Sequence, residues 1–284
     1  MEIETGNRAS QYLVETDWLA THLTDPDLRI IDCTVFIKYG TNGRLGFESG
    51  RAAWQRGHVP GSTFIDFFEE VTDQESKFHF AMPPPAQFAE AMSRHGVGED
   101  TQVVLYDGAM MIGAARLWWM LRAFGFDKAA VLNGGWKKWQ QEGRPVSVEP
   151  YLPSPGNFIA RPRSALIAHK QEVLASLGDR AICLINALSE AQYHDMHIPN
   201  SVNVPAASLL DPETCVYLPL ETLRHKFEQI GATYKQRVIT YCDSGISASS
   251  DAFILTLLGV ENVAVYDGSM TEWMADSTMP VEIG

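Results

Sequence analysis

Four cysteines, Cys33, Cys183, Cys215 and Cys242, are the nucleophile candidates of this chain, and one stands where a thiol would be activated. Cys242 follows a strand-forming run at residues 238–241 and precedes Asp243, Ser244, Gly245, Ile246 and Ser247. Small residues of this kind let the backbone curl until successive N–H groups point at one spot, a nest for an anion. A helix over about residues 247–258 would add the positive end of its dipole and favour thiolate over thiol. Such a group is a nucleophile for group transfer. Cys33 and Cys183 sit inside apolar strand-like runs and Cys215 in an irregular stretch, where a cysteine behaves as a small hydrophobe. No CxxC pair and no companion histidine at zinc-ligand spacing is present, so neither a metal nor another cofactor is expected.

The elements that must position Cys242 emerge from an internal duplication. "GHVPGS" at 57–62 answers "MHIPNS" at 196–201, "VVLYD" at 103–107 answers "VITYC" at 238–242, and "VLNGGWKKW" answers "VYDGSMTEW". The later pairs are offset by 134 or 135 residues, too long for a solenoid unit, so each copy is a domain. Within each copy short apolar strands alternate with amphipathic helical stretches. This predicts an α/β protein of tandem duplicated domains, each a parallel sheet covered by helices on both faces. The Pro-rich stretch after residue 145 predicts a linker: domain one at 1–145, linker at 146–163, domain two at 164–284. Asp107 occupies the position of Cys242 in the first copy, so folding does not demand a cysteine there.

At 284 residues and 45% hydrophobic content the chain can build two packed cores. Its formal net charge of −13 opposes binding to nucleic acid or to an anionic membrane surface. No segment approaches the roughly 20 apolar residues of a membrane span, and the start lacks a basic and apolar leader. The expectation is a cytoplasmic protein with reduced thiols, bound to neither nucleic acid nor membrane.

On "RGHVPGSTFIDF", "LYDGAMMIGAARLWWMLRAFGFDKAAVLNGGWKKW", "HIPNSVNVP", "CDSGIS" and "VAVYDGSMTEW", the chain resembles the two-domain rhodanese and 3-mercaptopyruvate sulfurtransferase family over nearly its whole length. The resemblance implies that Cys242 takes a sulfane sulfur from a small donor, holds it as a persulfide and passes it to a thiol, cyanide or a protein acceptor such as a thioredoxin-like one. It implies that Asp243, Ser244, Gly245, Ile246 and Ser247 cradle that sulfur. A loop with serine two residues after the cysteine and no base is similar to the mercaptopyruvate enzymes, which favours a 3-mercaptopyruvate-like donor. There, Ser244 would work with His58 and a carboxylate, for which Glu48 is a candidate.

Two departures stand out. The family grips the donor's anionic end with arginines at the positions held here by Leu188 and Gln192, and leucine cannot replace a bidentate guanidinium. Arg44, Arg51 or Arg56 of the first domain could take over. Asp243 adds a negative charge beside the thiol. Alternatives are a thiosulfate sulfurtransferase and a non-catalytic persulfide carrier or binding module. A phosphatase of this fold needs arginine where Ala248 stands, which argues against phosphoryl chemistry.

Overall fold

The computed structural model describes residues 11–39 and 45–284. The first half runs β1 (Leu13–Val14), α1 (Thr16–His22), β2 (Leu28–Asp32), β3 (Val35–Tyr39), β4 (Leu45–Ser49), α2 (Arg51–Arg56), β5 (Ser62–Phe64), α3 (Pro85–Arg94), β6 (Gln102–Tyr106), α4 (Ile112–Ala123), β7 (Ala129–Leu132) and α5 (Gly135–Gln141). The second runs β8 (Ile167–Ala168), α6 (Lys170–Ser176), β9 (Ile182–Asn186), α7 (Glu190–Asp195), β10 (Val202–Asn203), α8 (Leu220–Gln229), β11 (Arg237–Tyr241), α9 (Ile246–Leu257), β12 (Val263–Tyr266) and α10 (Ser269–Met274).

Each half forms a five-stranded parallel sheet, and the strand orders correspond: β1-β7-β6-β2-β5 and β8-β12-β11-β9-β10. Central strands are apolar on both sides because a parallel sheet is covered on both faces. Ile31, Leu105 and Val131 face one core, while their neighbours Ile30, Val104 and Leu132 face another. The first of these cores continues into the second half through α4 and α9, which pack along each other, with Trp118 edge-on to Phe253 at 4.8 Å. Both helices are buried on nearly all sides, which explains why neither shows an amphipathic pattern.

The duplication holds at the level of single hydrogen bonds. Tyr106 Oη receives the Val59 N–H at 3.2 Å and meets Ser62 Oγ at 3.0 Å; Tyr241 Oη receives Ile198 N–H at 3.0 Å and meets Ser201 Oγ at 2.7 Å. Trp139 Nε1 donates to Pro145 O at 2.7 Å, and Trp273 Nε1 to Pro280 O at 2.8 Å. The sheets of the two halves correspond, but the antiparallel hairpin β3–β4 is inserted between β2 and the Gly57–Ser62 turn, with no counterpart after β9. Residues 149–163 form neither helix nor strand and run back along the first half. Phe158 packs on Phe88 at 5.6 Å, and the Arg161 and Arg163 N–H groups donate to Phe124 and Ala123 carbonyls, both at 2.7 Å. No described helix is long and apolar enough to cross a membrane.

One buried acid links this core to pH. Asp32, 4% exposed at the end of β2, is pushed up to about 7 by burial, with the Asp107 charge adding to the rise and hydrogen bonds from Thr34 opposing it. The folded state therefore holds a proton that the unfolded chain releases near pH 4. Stability attributable to this site falls as pH climbs from about 4 to 7 and is level above, a loss on the order of 4 kcal/mol at most. The second half places Asn186 at the matching position, where its Oδ1 accepts the Leu188 N–H at 2.8 Å as Asp32 accepts that of Thr34 at 2.9 Å. Asp32→Asn is expected to match the wild type in urea unfolding at pH 4 and exceed it at pH 8. Parallel stability curves across that range would show that Asp32 is ionised in the fold.

Candidate active site

Cys242 is the first residue after β11, where side chains face the crevice outside the carboxyl ends of the strands. The bend is pinned by the start of α10. Cys242 N–H donates to Ser269 Oγ at 3.0 Å, Cys242 O accepts from Met270 N–H at 3.0 Å, and Asp243 O accepts from Thr271 N–H at 3.0 Å. Gly245 then takes φ +82°, and its N–H turns back onto Cys242 Sγ at 3.1 Å. A side chain there would be strained at that angle, and its Cβ would lie 2.9 Å from Asp267 O and 3.1 Å from Arg116 Nη1. Glycine is required on both counts.

Burial lifts the Cys242 thiol above its ordinary pKa; the N–H groups of Ala248, Ser244 and Gly245 oppose the rise, and the Asp243 carboxylate adds to it. The expectation that nest and helix would favour thiolate is thus reversed in net direction. The thiol is 2% exposed, and desolvating its charge outweighs what the converging N–H dipoles return. Asp243 is itself raised by burial, with Thr271 and the His79 charge pulling it down.

The thiol lies at a cavity of about 160 Å³ between the two halves. From the second half come Leu188 and Gln192 together with Cys242, Asp243, Ser244, Ile246 and Ser247; from the first come Ile37 and Phe47 on the β3–β4 hairpin, and Met110 and Ile112 before and in α4. The structure therefore gathers the cysteine loop and both positions of the missing arginines around one space, with Gly245 shaping the loop. Among the described residues no lysine, arginine or histidine lines it, and Asp243 is its only carboxylate. A larger cavity of about 510 Å³ opens at the edge of the first sheet near Trp18 and Lys128, but among the described residues no cysteine, serine or histidine lines it. Among the described residues no cluster of three or more His, Cys, Asp or Glu could hold a metal ion.

Several expected site residues lie elsewhere. His58 is buried in its turn, stacked on Trp54 at 4.3 Å, with Nδ1 2.9 Å from Trp54 O and Nε2 3.1 Å from Glu149 O. Backbone carbonyls occupy both ring nitrogens, so His58 has no free nitrogen to offer Cys242 or Ser244. Its counterpart His197 stacks on Tyr193 and meets Tyr193 O at 2.8 Å in the same way, which marks a staple of the turn in both halves. Glu48 is exposed on the hairpin and pairs with Lys38 at 3.1 Å. Arg51 is held by Glu69 at 3.1 Å and Asp66 at 3.4 Å. Arg56 is exposed at the end of α2, and Arg44 lies outside the described residues.

Gln192 has a structural task as well. It is the third residue of α7, and its side chain and that of Ser189 complete a reciprocal capping box, with Ser189 Oγ 2.8 Å from Gln192 Oε1. Asp107 sits where Cys242 sits, its carboxylate accepting N–H groups of Ala109 at 2.9 Å, Met111 at 3.0 Å and Ala114 at 3.1 Å. The nest around a strand-end group is thus common to both halves, and the second half fills it with sulfur.

Sequence reasoning missed the contribution of α4. Arg116, fully buried in the first half, reaches Asp267 Oδ1 of the second at 2.5 Å, behind the cysteine loop. The signal was present: a single arginine in the all-apolar run "IGAARLWWM".

The fold and this strand-end cysteine loop define a class, and comparison with known proteins agrees. A family model described as "Rhodanese-like domain" matches residues 15–142 and 169–276. The chain belongs to the rhodanese family, in which it carries two copies of the domain. It is 34% identical to rat thiosulfate sulfurtransferase over 92% of this chain and 91% of the rat protein. It is 31% identical to 3-mercaptopyruvate sulfurtransferase of Escherichia coli K12, over 96% and 99% of the two chains. The crystal structure of that bacterium's 3-mercaptopyruvate enzyme SseA superposes with a TM-score of 0.81 at 30% identity, covering 91% of this chain and 98% of SseA. The structure of EanB with ergothioneine shares the fold, with a TM-score of 0.84 at 21% identity over 98% of this chain and 71% of that one.

Proposed function

We propose that this protein is a sulfurtransferase in which Cys242 carries the sulfur. The observation that carries this reading is the cysteine itself: the first residue after β11, at an interdomain cavity, with the Gly245 N–H 3.1 Å from its sulfur. Cys242, as thiolate, attacks the donor's transferable sulfur and forms an S–S bond. With a mercaptopyruvate-type donor the C–S bond breaks, and the carbon keeps the electron pair and takes up a proton. With thiosulfate the S–S bond breaks and sulfite leaves with the pair. An acceptor thiol, cyanide or a thioredoxin-like protein thiol then attacks the outer sulfur, and Cys242 departs as thiolate.

A 3-mercaptopyruvate-like donor is favoured over thiosulfate, a small dianion that the described lining meets with Asp243 and with no cation. Ser244, buried at the cavity two residues after the thiol, is the neutral polar side chain assigned to the donor's carbonyl. Residues 164–284 carry the chemistry, residues 1–145 close the cavity and residues 146–163 join them. The four free thiols suit a reducing compartment such as the cytoplasm.

Whole-protein mass after incubation with 3-mercaptopyruvate, thiosulfate or an alkyl persulfide tests the reading. One added sulfur, released by cyanide, is the expected result. No mass gain with any donor, while Cys242 still accepts an alkylating reagent, would leave a binding module in place of an enzyme.

A further inference from the structure

Among the described residues Arg116 is the only arginine or lysine that is buried. From α4 its Nη2 donates to Phe80 O at 2.8 Å in its own half and to Asp267 Oδ1 at 2.5 Å in the other. Asp267 Oδ2 in turn accepts the Met82 N–H at 2.8 Å, so residues 80–82 of the first half are stapled behind the loop that bears the thiol. Arg116 Nη1 lies 3.1 Å from where a side chain on Gly245 would begin, and Gly245 is the residue whose N–H meets Cys242 Sγ. Nε and Nη1 make no hydrogen bond. A buried ion pair left partly unsatisfied is a poor device for stability, since apolar side chains of similar volume often do as well or better.

The duplication supplies an internal control. Phe80 and Cys215 occupy corresponding places and share one left-handed backbone, φ +59° and +58°. Tyr217 N–H donates to Asn133 Oδ1 at 3.0 Å, as Met82 N–H does to Asp267. Each half thus grips the other with the same backbone staple. The version behind Asp107 is uncharged at that point: Asn133 replaces Asp267, and the counterpart of Arg116 is Asp251, a buried residue whose carboxyl oxygens make no hydrogen bond. Packing two halves together does not require an arginine fork, and the fork occurs only behind the loop that carries Cys242.

We propose that Arg116 is a positioning residue for Cys242: from the first half it sets the depth of the 242–245 loop and balances the Asp267 carboxylate behind it. The assignment rests on Cys242 being the sulfur carrier. The charged groups around the loop are Asp243, whose carboxylate His79 faces, and, behind Gly245, Asp267 and Arg116.

Arg116→Met keeps volume and removes both fork and charge. Its kcat for transfer to cyanide should fall roughly tenfold, because a displaced loop misplaces the reacting sulfur, while the donor KM stays within about twofold. The pH midpoint of Cys242 alkylation by iodoacetamide should rise by roughly one unit, since the Asp267 carboxylate loses its counter-charge. Adding Asp267→Asn should return the midpoint and leave kcat low; Arg116→Lys should keep the midpoint and lose kcat. Alkylation needs no sulfur donor, so failure of every donor to load the wild type would count against the sulfurtransferase reading and leave this readout intact. A folded Arg116→Met with unchanged kcat and midpoint overturns the proposal. Should that variant not fold, Asp267→Asn alone decides: an alkylation midpoint below that of the wild type supports the positioning role, and an unchanged one removes it.

Discussion

Cys242→Ser is expected to take up no sulfur from any donor and to show no turnover, while Cys33→Ser, Cys183→Ser and Cys215→Ser keep both. The four thiols differ in surroundings more than in exposure. Cys33 and Cys183 are buried, and burial raises both, Cys183 to about 11; Asp32 and Asp107 raise Cys33 further. Neither lines the thiol-bearing cavity. Cys215 is half-buried in a left-handed turn beside Asp107, also raised by burial. Cys242 alone combines a cavity with N–H groups aimed at its sulfur. Its own pKa is also raised, so reactivity comes from geometry and from stabilisation of the anion once formed, and the rate of sulfur loading should climb with pH through the neutral range. Whole-protein mass and cyanide-released thiocyanate give the readout. Loss of loading in a folded Cys33, Cys183 or Cys215 variant would move the nucleophile elsewhere.

The strand, bend and small-residue loop at Cys242 were legible because they are local: a β-branched run, a glycine that must adopt positive φ, and a helix that starts at once. The duplication was legible because the strand end at residue 107 or 242 and the tryptophan at 139 or 273 keep their spacing, and the histidine turn recurs in the same order. What failed was tertiary. The sign of the Cys242 shift depends on how deeply α4 and the β3–β4 hairpin of the other half bury it, and no local pattern carries that. The family resemblance of its turn assigned His58 to the site, yet its repeat His197 occupies a turn where both ring nitrogens are also engaged. That symmetry was the warning. Gln192 was read as an empty donor position, although Ser189 three residues earlier already spelled a capping box.

The missing arginines give the prediction with the largest expected gain. Leu188 is half-buried at the cavity, follows β9 by two residues and packs against the edge of the core, so a longer side chain there can reach over the thiol at the cost of that packing. Leu188→Arg is expected to raise kcat/KM for 3-mercaptopyruvate, which the wild type should use with a high KM. One charge-assisted hydrogen bond contributes roughly 1.5 to 3 kcal/mol, so the gain should be about 10- to 100-fold. Asp243 will hold it toward the lower end, because its carboxylate competes for the new guanidinium. Gln192→Arg is a less clean companion: it gives up the side chain that completes the α7 cap, at a cost of about 1 kcal/mol of stability, so the double variant should gain further in kcat/KM but melt earlier. The gain should be specific to donors with a carboxylate, with little change for a neutral alkyl persulfide, and that contrast separates a new anion clamp from a general loosening of the cavity. If the wild type already turns over mercaptopyruvate efficiently, or folded Leu188→Arg gains nothing, the donor's carboxylate is gripped from another direction. Arg44, in the segment that joins the two strands presenting Ile37 and Phe47 to the cavity, is then the residue to replace first.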